Sequence, residues 1–377
     1  MLLAIGAQPK RSLCNVALTA STKIRYLARQ LELDIDVDLR LVTTIGSRHH
    51  DDADGKLKEL GMPSQQQSVV VNERSHRGAS RAIDKLRSQI ASNHELSFLM
   101  EAHDGLSGAI AERAGFKGLW ASGLSISCSL GYRDANEASW TELVDVVERM
   151  VDSSDLPVLV DGDSGFGNFN NARLLARKLQ QRGAAGVALE DKGFPKMNSF
   201  VGDRHPLADT GEFSGRLRAV KDTVGDDLIL VARIEALIAG HGLEEALARA
   251  HAYAEAGADA ILIHSRKSVA DEILAFAGAW QNRLPVVIVP TKYYRTPVSA
   301  YRDAGISTVI WANHSMRAAI AGMRDICGRI IAEESIAGIE GEVATLDEVF
   351  GLLRYGELAA AEERYLPAQN GNGRAKA

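Results

Sequence analysis

The sequence places several acidic groups where they could meet. Asp161-Gly162-Asp163 follows the apolar run Pro157 to Val160, and Glu190 ends the run Gly186 to Leu189. Side chains two apart on a strand share a face, so Asp161 and Asp163 point the same way, with Glu190 at the end of the next strand. Hard oxygen donors of this kind suit Mg2+, so the three are the candidate metal residues. Arg233 and Glu235 end another run, VARIE. An internal ion pair would explain them, but a guanidinium fork beside acidic metal ligands is better explained by an anionic substrate bridging the metal and Arg233. His264 also closes an apolar run, either as a satisfied core histidine or as part of the site. After Glu190-Asp191 comes Lys192-Gly193-Phe194-Pro195-Lys196-Met197-Asn198-Ser199, which lacks helical periodicity. It reads as a lid whose Lys196, Asn198 and Ser199 would bring a charge and hydrogen-bond donors onto an anion. Trp120-Ala121-Ser122-Gly123-Leu124-Ser125 offers backbone N–H groups beside small residues, a cradle for carboxylate or phosphoryl oxygens. Asp134 and Asn136 either serve that cradle or cap a helix starting near Glu137, and the residues alone allow both.

These groups need a common frame. Eight apolar runs alternate with amphipathic stretches: 98–103, 118–122, 157–163, 186–191, 228–235, 260–265, 285–291 and 308–313. That alternation predicts repeated βα units and a parallel sheet. Each run ends on polar groups: His103, Ser122, Asp161 and Asp163, Glu190, Arg233 and Glu235, His264, Thr291, Asn313. In a (β/α)8 TIM barrel the C-terminal strand ends ring the active site, so the pattern predicts that fold. Helices are expected over 168–182, 243–257 and 314–334, and glycines 115, 183, 257 and 305 are placed to end helices before the next strand.

Residues 1–97 carry 14 Lys and Arg against 11 Asp and Glu in a chain of net charge −6, so the remainder is markedly acidic. Residues 1–84 read as an N-terminal extension, a small module or partly disordered arm, with a helix at 21–31 and a strand at 40–44. A helix over 82–97 should lead into the first strand. Two short helices are expected within 346–365 and a mobile tail over 368–377. The negative charge argues against nucleic acid as the main partner and for a small-molecule substrate. Three scattered cysteines offer no disulfide framework, and no apolar run reaches membrane-spanning length. A cytoplasmic protein without a membrane partner is expected.

From about Lys85 to Pro367 the chain resembles phosphoenolpyruvate mutase, in the phosphoenolpyruvate mutase/isocitrate lyase superfamily. The motifs are MEAHDGLSG, WASGLSIS, GYRDANEASWT, VDGDSGFGN, LEDKGFPKMNS, VARIEA, HSRK, VPTKYY and VIWANH, in the family's order. In that family an EDK signature followed five residues later by Asn-Ser marks mutases, here Glu190-Asp191-Lys192 and Asn198-Ser199. Phosphonopyruvate hydrolases generally carry Thr at the position of Asn198, and carbon-carbon lyases carry a catalytic Cys in a KRCGH-like loop. Two motifs depart from the family pattern, with HDG replacing HNG at Asp104 and DGD replacing DAD at Gly162.

The resemblance implies interconversion of phosphoenolpyruvate and phosphonopyruvate with Mg2+ as cofactor, the first step of phosphonate biosynthesis. Asp161 would contact the ion, with Asp163 and Glu190 acting mainly through its waters. Trp120, Ser122, Gly123 and Leu124 would bind the pyruvate portion, while Arg233 and His264 stabilise the migrating group. Asp134 would take up the phosphoryl group, or stand beside a metaphosphate-like fragment that needs no covalent capture. Lys196, Asn198 and Ser199 would belong to the gating loop. The resemblance further implies a homotetramer, a dimer of dimers with the last barrel helix exchanged, and a downstream enzyme that consumes phosphonopyruvate. The rival readings are phosphonopyruvate hydrolase, a lyase of the same superfamily and a non-catalytic barrel.

Overall fold

The computed structural model describes residues 81–92, 95–201 and 206–367. The helix and strand expected at 21–31 and 40–44, the N-terminal extension up to residue 80 and the tail 368–377 lie outside them. Eight parallel strands close into a barrel in sequence order: β1 (Ser97–Ala102), β2 (Gly118–Ala121), β3 (Val158–Asp161), β4 (Gly186–Glu190), β5 (Ile229–Ile234), β6 (Ala260–Ile263), β7 (Val286–Ile288) and β8 (Thr308–Trp311). All eight expected runs are strands. Each ends one to three residues earlier than expected, because the last polar residues have already turned into the loops.

Alternation along the strands sorts the side chains into two cores. Leu99, Trp120, Leu159, Ala188, Val231, Leu262, Val287 and Ile310 pack together inside the barrel. Their neighbours, including Val160, Val187, Leu230, Ile261 and Val309, pack outward under the helices. A helix over residues 81–91, six residues shorter at its C-terminal end than expected because β1 already begins at Ser97, adds Ile83, Leu86 and Ile90 to the inner core. The inner core is thus packed solid and cannot serve as a channel, which leaves the loops beyond the C-terminal strand ends to form any site.

The helices that matter below are α1 (Gly105–Arg113), α2 (Gly123–Ser129), α3 (Trp140–Ser153), α4 (Phe169–Gln181), α5 (Gly242–Glu255) and α6 (His314–Glu333). Asn168 caps α4, and the chain leaves α1, α4, α5 and the short helix Val298–Asp303 through Gly115, Gly183, Gly257 and Gly305, all at positive φ. Asp104, the departure in HDG, caps α1, accepting a 2.7 Å bond from the Ser107 N–H, which accounts for its acceptance there. The cap of α3 is Ser139, paired with Glu142, so Asp134 and Asn136 are free for other work. Helix α6 buries only Met316, and the two short helices that follow, Leu346–Leu352 and Tyr355–Tyr365, bury nothing. Among the described residues no helix is long and apolar enough to cross a membrane.

The glycine of DGD has a packing cause. Gly162 falls on the outward parity of β3, where an added Cβ would lie 2.6 Å from Val187 Cγ2, 2.8 Å from Leu189 Cδ2 and 3.1 Å from the Ala188 carbonyl oxygen. Gly162→Ala should therefore cost about 1–3 kcal/mol by overpacking. Urea unfolding checks this, and adding Val187→Ala should give a smaller loss than the two single losses summed. Strict additivity would refute the steric account.

Candidate active site

The inward parity that fills the barrel also selects which side chains reach its mouth. Continuing past the inner-core residues gives Ser122 after β2, Asp161 at the end of β3 with Asp163 two residues on in the left-handed region, Glu190 at the end of β4, Arg233 on β5 with Glu235 just after it, and His264 after β6. Glu190 and Arg233 are register partners on adjacent strands, and Arg233 Nε lies 3.4 Å from Glu190 Oε2. Asp191 has the opposite parity and leaves the site. It accepts bonds from Tyr253 OH at 2.8 Å and Arg249 at 3.0 Å, both on α5, and so ties strand to helix.

The loop from Lys192 to Val201 covers these strand ends. Lys196 and Ser199 are buried beneath it, while Phe194, Met197, Phe200 and Val201 are exposed. Lys196 Nζ pairs with Asp163 and lies 3.0 Å from Asp134. Asn198 Nδ2 donates to Asp134 Oδ2 at 2.5 Å. Asn136, in the left-handed region, donates to Asp163 at 2.6 Å and accepts the backbone N–H of Lys196 at 2.7 Å, so it ties the GYRDAN segment to both the acidic motif and the loop. Lys192 Nζ donates to Ser199 Oγ at 2.5 Å and lies 3.2 Å from Glu235. Phe200 meets His264 edge-on, with ring centroids 5.5 Å apart.

Electrostatics follow from crowding charges away from water. Burial, abetted by Asp161, Asp134 and Glu190 and opposed by Lys196, pushes the Asp163 carboxyl up to about 7. Burial would lower Lys196, but Asp163, Asp134, Asp161 and Glu190 outweigh it and hold the ammonium well above its ordinary value. Asp134 shows the reverse balance: burial would raise it, yet Lys196 and Asn198 keep it below the usual range. Burial, reinforced by Arg233, lowers His264 despite Glu235, so the imidazole is neutral near pH 7.

The groups enclose a cleft of about 510 Å3, partly open to solvent. Of the expected site residues, Trp120, Ser122, Leu124, Asp134, Asp161, Glu190, Lys196, Asn198, Ser199, Arg233 and His264 line it. Gly123 and Asp163 sit just behind, lining a smaller recess with Asp161. A Cβ on Gly123 would lie 3.2 Å from both Asp161 Oδ2 and Asp163 Oδ1, so this glycine lets the cradle approach the acidic pair. Phe200, Val289 and Ala312 complete the lining without having been singled out, while Lys192 does so as part of the EDK signature and Thr291 and Asn313 as strand-end residues.

Two observations bear on a divalent ion. Glu190 Oε1 is buried without a hydrogen-bond partner, and Asp161 has no cation closer than Arg233 Nη1 at 4.0 Å among the described residues. Five carboxylates (Asp134, Asp161, Asp163, Glu190, Glu235) face three cations (Lys192, Lys196, Arg233), an excess of two negative charges that a divalent cation matches. Among the described residues no three His, Cys, Asp or Glu groups come together closely enough to ligate one ion directly.

Lys196→Met would leave Asp134 and Asp163 without their cation, and breaking such a buried pair costs about 3–5 kcal/mol. Without Lys196 the Asp134 carboxyl loses the cation that holds it down and Asp163 rises further, so the variant gains protons on folding. Its stability deficit relative to wild type should therefore shrink as pH falls from 8 to 5 in thermal or urea melts. A deficit independent of pH would contradict this pairing.

Residues 86–331 match the family described as phosphoenolpyruvate phosphomutase. A phosphoenolpyruvate phosphomutase of Tetrahymena pyriformis is 52% identical over 290 residues, covering 76% of this chain and 96% of that protein. The crystal structure of a phosphoenolpyruvate phosphomutase from Streptomyces platensis subsp. rosaceus superposes with TM-score 0.74 at 40% identity, over 76% of this chain and 100% of that one. A phosphonopyruvate hydrolase solved with oxalate and Mg2+ gives TM-score 0.71 at 35% identity, over 76% and 99%.

Proposed function

The chain belongs to the phosphoenolpyruvate phosphomutase family, and from that premise we propose that it interconverts phosphoenolpyruvate and phosphonopyruvate within the cleft described above. The observation that carries the reading is Asn198 on Asp134: the residue expected to separate mutase from hydrolase holds the carboxylate expected to meet the phosphoryl group. The higher similarity to phosphomutases than to the hydrolase supports the same choice.

The residues divide the work as follows. The N–H groups at the start of α2, beginning at Gly123, with the Ser122 hydroxyl beside them, would receive the carboxylate of the substrate, an anion at a helix N-terminus. Mg2+ would be held by Asp161 in contact and by Asp163 and Glu190 through water, the arrangement open to carboxylates that do not converge on one ion. When bound, the ion would offset charge on the substrate oxygens and fix their orientation. Arg233, lying between Asp161 and Glu190, would stabilise the phosphoryl oxygens, and neutral His264 would offer an uncharged hydrogen bond beside it. Phosphoryl transfer depends mainly on positioning and charge stabilisation. Asp134 then stands ready to accept the phosphoryl group and return it to carbon or oxygen, or to flank a metaphosphate-like fragment. The loop lowers Lys196 and Asn198 onto that carboxylate and excludes water, the competing acceptor.

The same reading extends to assembly. Ile320, Met323, Ile330 and Ile331 are exposed on α6, and Leu106 and Ile110 on α1. Such apolar rows support exchange of α6 between copies in a homotetramer, and a phosphonopyruvate-consuming enzyme would act downstream.

Phosphorus NMR of pure protein with phosphonopyruvate and Mg2+ should show phosphoenolpyruvate forming. Accumulation of inorganic phosphate without phosphoenolpyruvate would favour the hydrolase instead. Chelation should stop turnover and Mg2+ restore it, and Asp134→Ala should remove nearly all activity while leaving the fold intact.

A further inference from the structure

Glu235 does not line the cleft, yet its carboxylate meets four residues that do, Arg233, His264, Ser199 and Lys192. It is fully buried just after β5. Oε1 lies 2.7 Å from Arg233 Nε and 2.8 Å from His264 Nδ1. Oε2 accepts the Ser199 hydroxyl at 2.7 Å and lies 3.2 Å from Lys192 Nζ. One oxygen therefore serves the two groups that would hold the phosphoryl moiety, and the other serves the covering loop. Ser199 precedes Phe200, which rests against His264, and follows Asn198, which holds Asp134. The backbone N–H of Glu235 donates to Asp191 Oδ1 at 2.8 Å, and Asp191 is fixed in turn by Arg249 and Tyr253. The carboxylate is thus mounted on the rigid strand and helix layer while bridging a loop and a reactive centre.

We infer that Glu235 is a positioning residue that couples the covering loop to Arg233 and His264, so that the phosphoryl-binding groups are aligned only while Ser199 is docked. This rests on the mutase reading above. If Ser199 leaves, Oε2 loses its hydroxyl donor and Lys192 one of its partners, and the carboxylate that orients Arg233 and His264 is then free to turn. Water then reaches the phosphorus atom. In that leak the water oxygen bonds to phosphorus, the P–C bond breaks with its electron pair left on the enolate, and the enolate carbon takes a proton to give pyruvate and inorganic phosphate.

The test is phosphorus NMR with phosphonopyruvate and Mg2+ on wild type, Glu235→Gln, Ser199→Ala and the double variant, each first matched for melting temperature and circular dichroism. Glu235→Gln keeps the shape but exchanges an acceptor for a donor and removes the charge. Its kcat should fall on the order of a hundredfold, the scale of a small misplacement of reacting groups, with KM changing much less. The share of inorganic phosphate among its products should rise. Ser199→Ala, which leaves Glu235 in place, should raise that share too, and the double variant should be no worse than the poorer single variant. If Glu235→Gln fails to fold, the Ser199→Ala product ratio decides the matter. A wild-type product ratio in both single variants, or additive effects in the double, would overturn the inference. Failure of wild type to form phosphoenolpyruvate would instead overturn the mutase reading.

Discussion

Five carboxylates buried at one barrel mouth cannot all stay ionised without positive charge beside them, and this constraint governs the site. Arg233 supplies one cation from within the barrel, but Lys192 and Lys196 both come from the segment that follows β4 and covers the mouth. The segment that covers the site therefore also supplies two of its three cations. The remaining excess of negative charge is the size a divalent cation would cancel. Burial and its acidic neighbours push Asp163 up to about 7, the electrostatic cost of such crowding.

Strand parity turns that constraint into architecture. Glu190, Asp191 and Lys192 are consecutive, yet they serve three different layers. Glu190 faces the cleft, Asp191 faces Arg249 and Tyr253 on α5, and Lys192 reaches across to Glu235 and Ser199. One short segment thus joins the reactive centre, the helix layer and the loop. Asn136 does similar work on the far side, linking Asp163 to the backbone of Lys196.

Much of this was legible in the sequence. Eight apolar runs with polar ends announce a barrel, because inward and outward faces are both buried and only the C-terminal ends meet solvent. Asp161, Asp163, Glu190, Arg233 and His264 could be placed because each lies at the end of an apolar run. Glu235 could be placed as well, but not its role, since its partners come from two other segments of the chain that only folding brings together. Asp134 and Asn136 stayed ambiguous because Asn is as good a helix cap as it is a cross-loop tie, and the structure resolves this by giving the cap to Ser139. Gly162 read as a departure from the family pattern, but Val187 and Leu189 on the neighbouring strand leave no room for a methyl group. The weight of Asn198 came from resemblance, and its contact with Asp134 supplies a physical reason for it.

The central claim is that the phosphoryl group moves between carbon and oxygen without meeting water. The direct measurement is conversion of phosphonopyruvate in water enriched in oxygen-18, with mass analysis of the nonbridging phosphoryl oxygens in the phosphoenolpyruvate formed. These oxygens should carry no label from the solvent. Label there would mean that water attacks phosphorus during the reaction, and would contradict a covered, charge-balanced site.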